Sequence, residues 1–140
     1  MKVRIKYLND YKVEHITGGD WLDLRCARDT YMRQGDITAI PLGVVIEIPQ
    51  GYEGIIAPRS STCLRYGLLM ANSIGIIDES YCGDGDELHF LAYATRAVLI
   101  KAGERICQFR IVKHQPDIEL VEVETMGNPD RGGLGSTGGA

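Results

Sequence analysis

Lys101-Ala102-Gly103-Glu104-Arg105-Ile106-Cys107-Gln108-Phe109-Arg110-Ile111 decides the fold class of this chain. A turn signal, Lys101-Ala102-Gly103, opens the stretch. Cys107, Phe109 and Ile111 then alternate with Gln108 and Arg110, the period of two that marks a strand with one face in a core. The pattern recurs on either side. Val3, Ile5 and Tyr7 alternate with Lys2, Arg4 and Lys6, and Val44, Ile46 and Ile48 share one face. Ile118 and Leu120 are in phase, whereas Val121 and Val123 take the other parity, which predicts a strand with a bulge or bend. Gly18-Gly19-Asp20, Pro49-Gln50-Gly51 and Gly83-Asp84-Gly85 read as turns between the runs. Many short strands with close punctuation predict an all-β, antiparallel sandwich or barrel. Helical periodicity is absent over several turns. Only Arg59 to Leu69 has room for a brief helical turn, bracketed by Pro58 and Gly67.

Composition sets the limits. A chain of 140 residues suits one domain. With 44% hydrophobic and 24% charged residues, whole-chain disorder is not expected. A net charge of −4 argues against a dedicated binder of nucleic acid or anionic membrane, while leaving a local basic site possible. No apolar run reaches the roughly 20 residues that span a bilayer, and Met1 to Tyr7 does not read as a signal peptide. Cys26, Cys63, Cys82 and Cys107 form no CxxC pair, so reduced thiols in a cytoplasmic protein are expected. The expected organisation is a β domain over 1–126 and a flexible, glycine-rich tail over 127–140. The tail holds six glycines and a single large apolar side chain, Leu134, and cannot bury a core of its own.

Five segments carry chemistry. In Asp20 to Ala27, Asp23 stands between two leucines, either as a solvent-facing strand residue or as a carboxylate holding a metal ion through its waters. Ala57-Pro58-Arg59-Ser60-Ser61-Thr62 places a guanidinium beside three hydroxyls, a set that suits phosphate oxygens as well as a helix start. In Asn72 to Gly83 an apolar run ends in Asp78, with Tyr81 three residues on. Asp78 follows Ile77 directly and is expected to be partly desolvated, as a general base acting on water or as a turn residue. Arg105 and Gln108 are donors on one strand. Asp130 to Gly138 has the composition of a phosphate-cradling loop without the Gly-Lys-Ser/Thr of a Walker A motif. His15, His89 and His114 fit neither a catalytic triad nor a metal-ligand spacing.

In order, these segments resemble the five motifs of the trimeric deoxyuridine triphosphatase (dUTPase) family. PRSS at 58–61, GIIDxxYxG at 75–83 and RGGxGSTG at 131–138 carry most of the resemblance. It implies a jelly-roll subunit, a homotrimer with active sites shared between chains, and Mg²⁺-dependent hydrolysis of dUTP to dUMP and pyrophosphate. That reaction would limit uracil incorporation into DNA and supply dUMP. By motif position, Asp23 resembles the acid that binds the water shell of magnesium. Arg59, Ser60 and Ser61, with Gln108, resemble the phosphate contacts, and Arg105 resembles a partly structural arginine. Asn72, Gly75 and Ile77 resemble the base-binding hairpin. Tyr81 resembles the ring under the deoxyribose, and Asp78 the acid that orients the attacking water. Arg131, Leu134, Gly135, Ser136 and Thr137 resemble the tail that closes over the nucleotide.

The sequence departs from the family pattern twice. Leu134 stands where the family often has an aromatic that stacks on the base. Phe90 is the candidate substitute, because Asp84-Gly85-Asp86 reads as a short insertion able to reposition the next strand. Leu22 is bulkier than the family's residue before the first-motif acid. Two other functions compete. One is a dCTP deaminase, for which Glu79 and Glu87 are the only nearby candidates for a catalytic glutamate. The other is a dUTPase-like fold used only for protein–protein regulation.

Overall fold

The computed structural model describes residues 1–15, 18–135 and 138. Eleven strands and one short helix follow in chain order: β1 (Ile5–Tyr7), β2 (Leu22–Arg25), β3 (Thr30–Met32), β4 (Ile37–Pro41), β5 (Val44–Ile46), β6 (Tyr52–Pro58), α1 (Thr62–Tyr66), β7 (Leu68–Met70), β8 (Gly75–Ile77), β9 (His89–Ala94), β10 (Val98–Ile100) and β11 (Arg105–Lys113). All pairings are antiparallel. A four-stranded sheet in the order β2-β11-β6-β8 and a three-stranded sheet in the order β4-β9-β7 are joined by the pairs β1-β5 and β10-β3. This is the predicted all-β architecture, in its jelly-roll form. The single helix falls where Pro58 and Gly67 bracket it, and Gly67 ends it in the left-handed region at φ 66°.

β11 behaves as its sequence dictates. Cys107 and Phe109 are buried, while Gln108 and Arg110 turn to the outer face. A register shift between Arg105 and Cys107 adds Ile106 to the core beside Cys107. The inward row continues through Leu24 of β2 and Ile56 of β6. Gly54 leaves the space that the Phe109 ring fills; a Cβ there would lie 2.7 Å from the ring. Leu24, Met32, Ile40, Ile56, Leu68, Phe90 and Ile106 are fully buried, each worth about 1.5–3 kcal/mol of apolar transfer.

Two expectations are corrected. Phe90 is no lid: on β9 it points inward opposite Ile40 and is 0% exposed, so it is core. The Asp84-Gly85-Asp86 insertion is held locally instead. Asp84 pairs with Lys6 at 3.0 Å, and Asp86 accepts the Gly83 N–H at 2.7 Å. The strand predicted over Ile118 to Val123 does not form, and the segment pairs with no strand among the described residues. Residues 114–135 are all exposed, and Ile118, Leu120, Val121 and Val123 present apolar surface to solvent.

Candidate active site

The candidate residues form two groups on the outer face of the four-stranded sheet. The first lies where β2, β11 and β6 meet. Asp23, Gln108 and Ala57 face one another across the three strands. One residue past the end of β6, Arg59 turns back over Asp23, with Nε 3.0 Å from Oδ2. Arg105 approaches the same oxygen with Nη1 at 3.6 Å. The Arg59 N–H is not aligned to donate and Arg105 is too far, so Asp23 Oδ2 is buried without a hydrogen-bond partner. Asp23 is therefore not the solvent-facing residue of the plainer expectation; it is 6% exposed under two guanidinium groups.

The loop after Pro58 is rigid for a reason that single-residue reading passed over. Thr62 is buried, its hydroxyl donates to the Ile106 carbonyl at 2.8 Å, and it accepts the Arg59 N–H at 2.9 Å. That hydroxyl is thereby spent on holding Arg59 in place. Ser61 Oγ lies 3.4 Å from Arg59 Nη1, and Ser60 is exposed and free to meet a ligand. Gln108 Nε2 donates to the Pro58 carbonyl at 2.9 Å, which docks the loop on β11. Two arginines, the exposed Ser60 and half-buried Ser61 hydroxyls and an amide thus converge on one rim, a donor set matched to phosphate oxygens.

The second group is the β8 hairpin and the turn after it. Gly75 faces inward, where a Cβ would meet Ile56 and Met70 at 3.3 Å, and Ile77 packs on the core. Asn72 lies exposed in the preceding turn, its carbonyl accepting the Ile74 N–H at 2.7 Å. Tyr81 is latched by its hydroxyl to the Glu87 carbonyl at 2.9 Å. Asp78 is exposed, which corrects the expected desolvation. Its Oδ1 accepts the Ser80 N–H at 2.7 Å. Hydrogen bonding from the Ser80 hydroxyl, then from that N–H, then the nearby His114, holds the Asp78 carboxyl below its ordinary range. The carboxylate faces a cleft of about 350 Å³ whose walls include Glu53, Ile76 and His114.

A single chain does not bring the two groups together. Asp23 and Asp78 are separated by three strand spacings and about four residues of strand, about 14 Å across the sheet and about 13 Å along it. Arg131, Leu134 and Gly135 are exposed, and Ser136 and Thr137 lie outside the described residues. Both glutamates considered for a deaminase are engaged by backbone: Glu79 accepts the Gly51 N–H at 2.8 Å, and Glu87 the Gly43 N–H at 2.9 Å. Burial pushes the Cys107 and Cys26 thiols up, which leaves both unreactive in the core.

Mg²⁺ fits the first group. It retains waters and takes one or two carboxylates together with substrate phosphates. Asp23 Oδ2, buried with its lone pairs unused beside a phosphate-type rim, supplies such a carboxylate. Among the described residues no three His, Cys, Asp or Glu side chains form a cage that would hold the ion alone.

Three comparisons with known proteins show the family. The dUTPase family model matches residues 18–138. The SPbeta prophage-derived deoxyuridine 5'-triphosphate nucleotidohydrolase YosS of Bacillus subtilis is 49% identical over 140 residues, covering 99% of both chains. The deoxyuridine 5'-triphosphate nucleotidohydrolase of Finegoldia magna is 35% identical over 144 residues, again covering 99% of both. Among solved structures, the dUTPase of Staphylococcus bacteriophage 80alpha with dUPNHPP superposes with a TM-score of 0.81 at 22% identity, covering 98% of each chain. That of Streptococcus mutans superposes with a TM-score of 0.73 at 23% identity, covering 82% of this chain and 98% of the other. The chain therefore belongs to the dUTPase family of dUTP diphosphatases.

Proposed function

We propose that this protein hydrolyses dUTP to dUMP and pyrophosphate, with Asp78 orienting a water for in-line attack on the α-phosphorus. One observation carries the reading. Asp78 is a carboxylate kept ionised, with Oδ1 fixed by its own turn, on the hairpin whose other members are Gly75, Ile77 and Tyr81. Such a group places and deprotonates a water without a covalent intermediate. Arg59, with Ser60, Ser61 and Gln108, would bind the phosphate chain, while Arg105 shares the charge of Asp23. Asp23 would hold Mg²⁺ through water, and the bound ion would supply charge neutralisation on the phosphate oxygens. The Tyr81 ring would pack under the sugar, where a 2′-hydroxyl has no room. Asn72, Gly75 and Ile77 would present backbone to the uracil edge. Arg131, Leu134, Gly135, Ser136 and Thr137, in a tail distinct from the 1–126 domain, would close the site, with Leu134 covering the base by apolar contact.

The reading requires more than one chain per site, and a homotrimer meets that requirement. The separation of Asp78 from Asp23 and Arg59 favours it. So do the exposed apolar residues, which are more than a lone subunit ordinarily leaves to water. Leu69, Tyr93 and Ile37 form one such row across β7, β9 and β4. Residues 117–124 interleave four acidic with four apolar side chains, with a phase slip at Leu120-Val121, and Lys2 to Tyr7 alternate basic and apolar ones. Segments of that kind are complementary between copies.

The test is pyrophosphate release from dUTP, dCTP, dTTP and UTP, with and without Mg²⁺, in water enriched in ¹⁸O. The expected result is Mg²⁺-dependent turnover of dUTP, with the label in dUMP. Label in pyrophosphate would refute attack at the α-phosphorus, and ammonia from dCTP would refute the hydrolase assignment.

A further inference from the structure

Asp78 must be held to a fraction of an ångström to aim a water, yet the sheet stops supporting it one residue too early. The β6–β8 ladder runs Ile56 to Gly75, Ile55 to Ile76 and Gly54 to Ile77, and there it ends. Among the described residues Asp78 bonds within its own turn, its carboxylate accepting the Ser80 N–H and its carbonyl the Tyr81 N–H at 3.1 Å. The next contact that ties this turn to the body of the subunit comes from the following side chain. Glu79 Oε2 accepts the Gly51 N–H at 2.8 Å, a charge-assisted bond to backbone. We infer that Glu79 is a positioning residue for Asp78, acting through the backbone of Gly51. The inference rests on the role of Asp78 proposed above.

Gly51 is suited to transmit position. It occupies the turn entering β6 at φ 85°, where glycine is favoured, and that turn is closed by the Tyr52 N–H on the Pro49 carbonyl at 3.1 Å. Its carbonyl accepts the His114 N–H at 3.1 Å, just past the end of β11. The Gly51 residue is thus held by β11 on one side and grips Glu79 on the other. β11 is paired with neighbours on both sides, β2 and β6, and rooted in the core by Ile106, Cys107 and Phe109. Glu79 therefore replaces the missing ladder bond and couples the turn of Asp78 to the most firmly held strand. Displacing a reacting group by about 1 Å costs on the order of 10²-fold in rate.

The test compares Glu79→Ala and Glu79→Gln with the unmodified protein in steady-state dUTP hydrolysis and in amide hydrogen exchange. Gln keeps an acceptor for the Gly51 N–H; Ala removes it. For Glu79→Ala, kcat should fall by about ten- to a hundredfold with KM within about twofold, because the loss lies in the transition state. Exchange of the Gly51 amide should accelerate while β6 and β11 stay protected. Glu79→Gln should recover most of kcat and the Gly51 protection. Unchanged kcat in Glu79→Ala, a Glu79→Gln variant as slow as Glu79→Ala, or loss of protection throughout β6 and β11 would each overturn the role. An unmodified protein that does not hydrolyse dUTP would instead overturn the reading of the reaction on which the role depends.

Discussion

At the scale of single residues, Asp78 carries the clearest consequences. Asp78→Asn keeps size and most hydrogen bonding but removes the charge that, in the proposed reaction, would aim a water and accept its proton. Its kcat should fall about 10²- to 10⁴-fold, with dUTP affinity unchanged within a few-fold by calorimetry. Normal turnover would take Asp78 out of the mechanism. The pH dependence has a definite sign. In the proposed reaction the working form would be the carboxylate, and the Ser80 hydroxyl, the Ser80 N–H and His114 all lower its pKa. The acid limb of kcat/KM therefore lies below the ordinary aspartate value, and activity survives into acid until that limb is crossed. Ser80→Ala removes the leading cause, so its acid limb should move to higher pH; a profile that stays put would show that the hydroxyl does not tune Asp78. The motif position of this residue is legible from GIIDxxYxG. Its exposure is not, because a neighbouring Ile77 says nothing about which way Asp78 turns. Asp23 shows the same limit. Its motif position was readable, but its burial arises from Arg59 and Arg105, 36 and 82 positions away in the chain.

At the scale of elements, alternation was a good guide where side-chain sizes supported it. β11 announced its inward face through Cys107 and Phe109 against Gln108 and Arg110. β9 did not: Phe90, Ala92 and Ala94 face inward, while Leu91 and Tyr93, larger than the two alanines, face out. Hydrophobic weight thus points to no single face, and the insertion before β9 does not turn Phe90 outward. Ile118 to Val123 illustrates the converse. Its pattern reports that the segment is fit to be buried, and a pattern cannot name the surface that buries it. The tail beyond it yields a prediction at this scale. Residues 127–135 are all exposed, so deleting everything after Met126 should leave the urea midpoint unchanged. If Arg131 and its neighbours close the site, the same deletion should lower kcat/KM for dUTP by at least about a hundredfold, the order expected from loss of a closing segment that positions substrate. A fully active truncated protein would show that the tail takes no part.

At the scale of the whole molecule, the division of the candidate site between two regions of one sheet face becomes an experiment on assembly. A chain of 140 residues supplies Asp78 and the hairpin at one place, and Asp23, Arg59 and Gln108 at another. If each site takes the first set from one copy and the second from its neighbour, two inactive proteins contain the parts of an active one. Asp78→Asn and Arg59→Ala proteins should each be nearly inactive alone. Unfolded together at equal concentration and refolded, they assemble at random into closed rings. A site is intact when an Arg59→Ala chain contributes its unaltered Asp78 and the adjacent Asp78→Asn chain contributes its unaltered Arg59. Each condition holds for half the chains, so about one quarter of sites should regain function. A control mixed without unfolding separates exchange from contamination. If every site is built within one chain, no mixed assembly contains an intact site, and the mixture stays as inactive as its components. Recovery near a quarter would therefore establish shared sites, and its absence would require Asp78 to reach the phosphate rim of its own chain by a movement of about 20 Å, larger than an antiparallel sheet allows without coming apart.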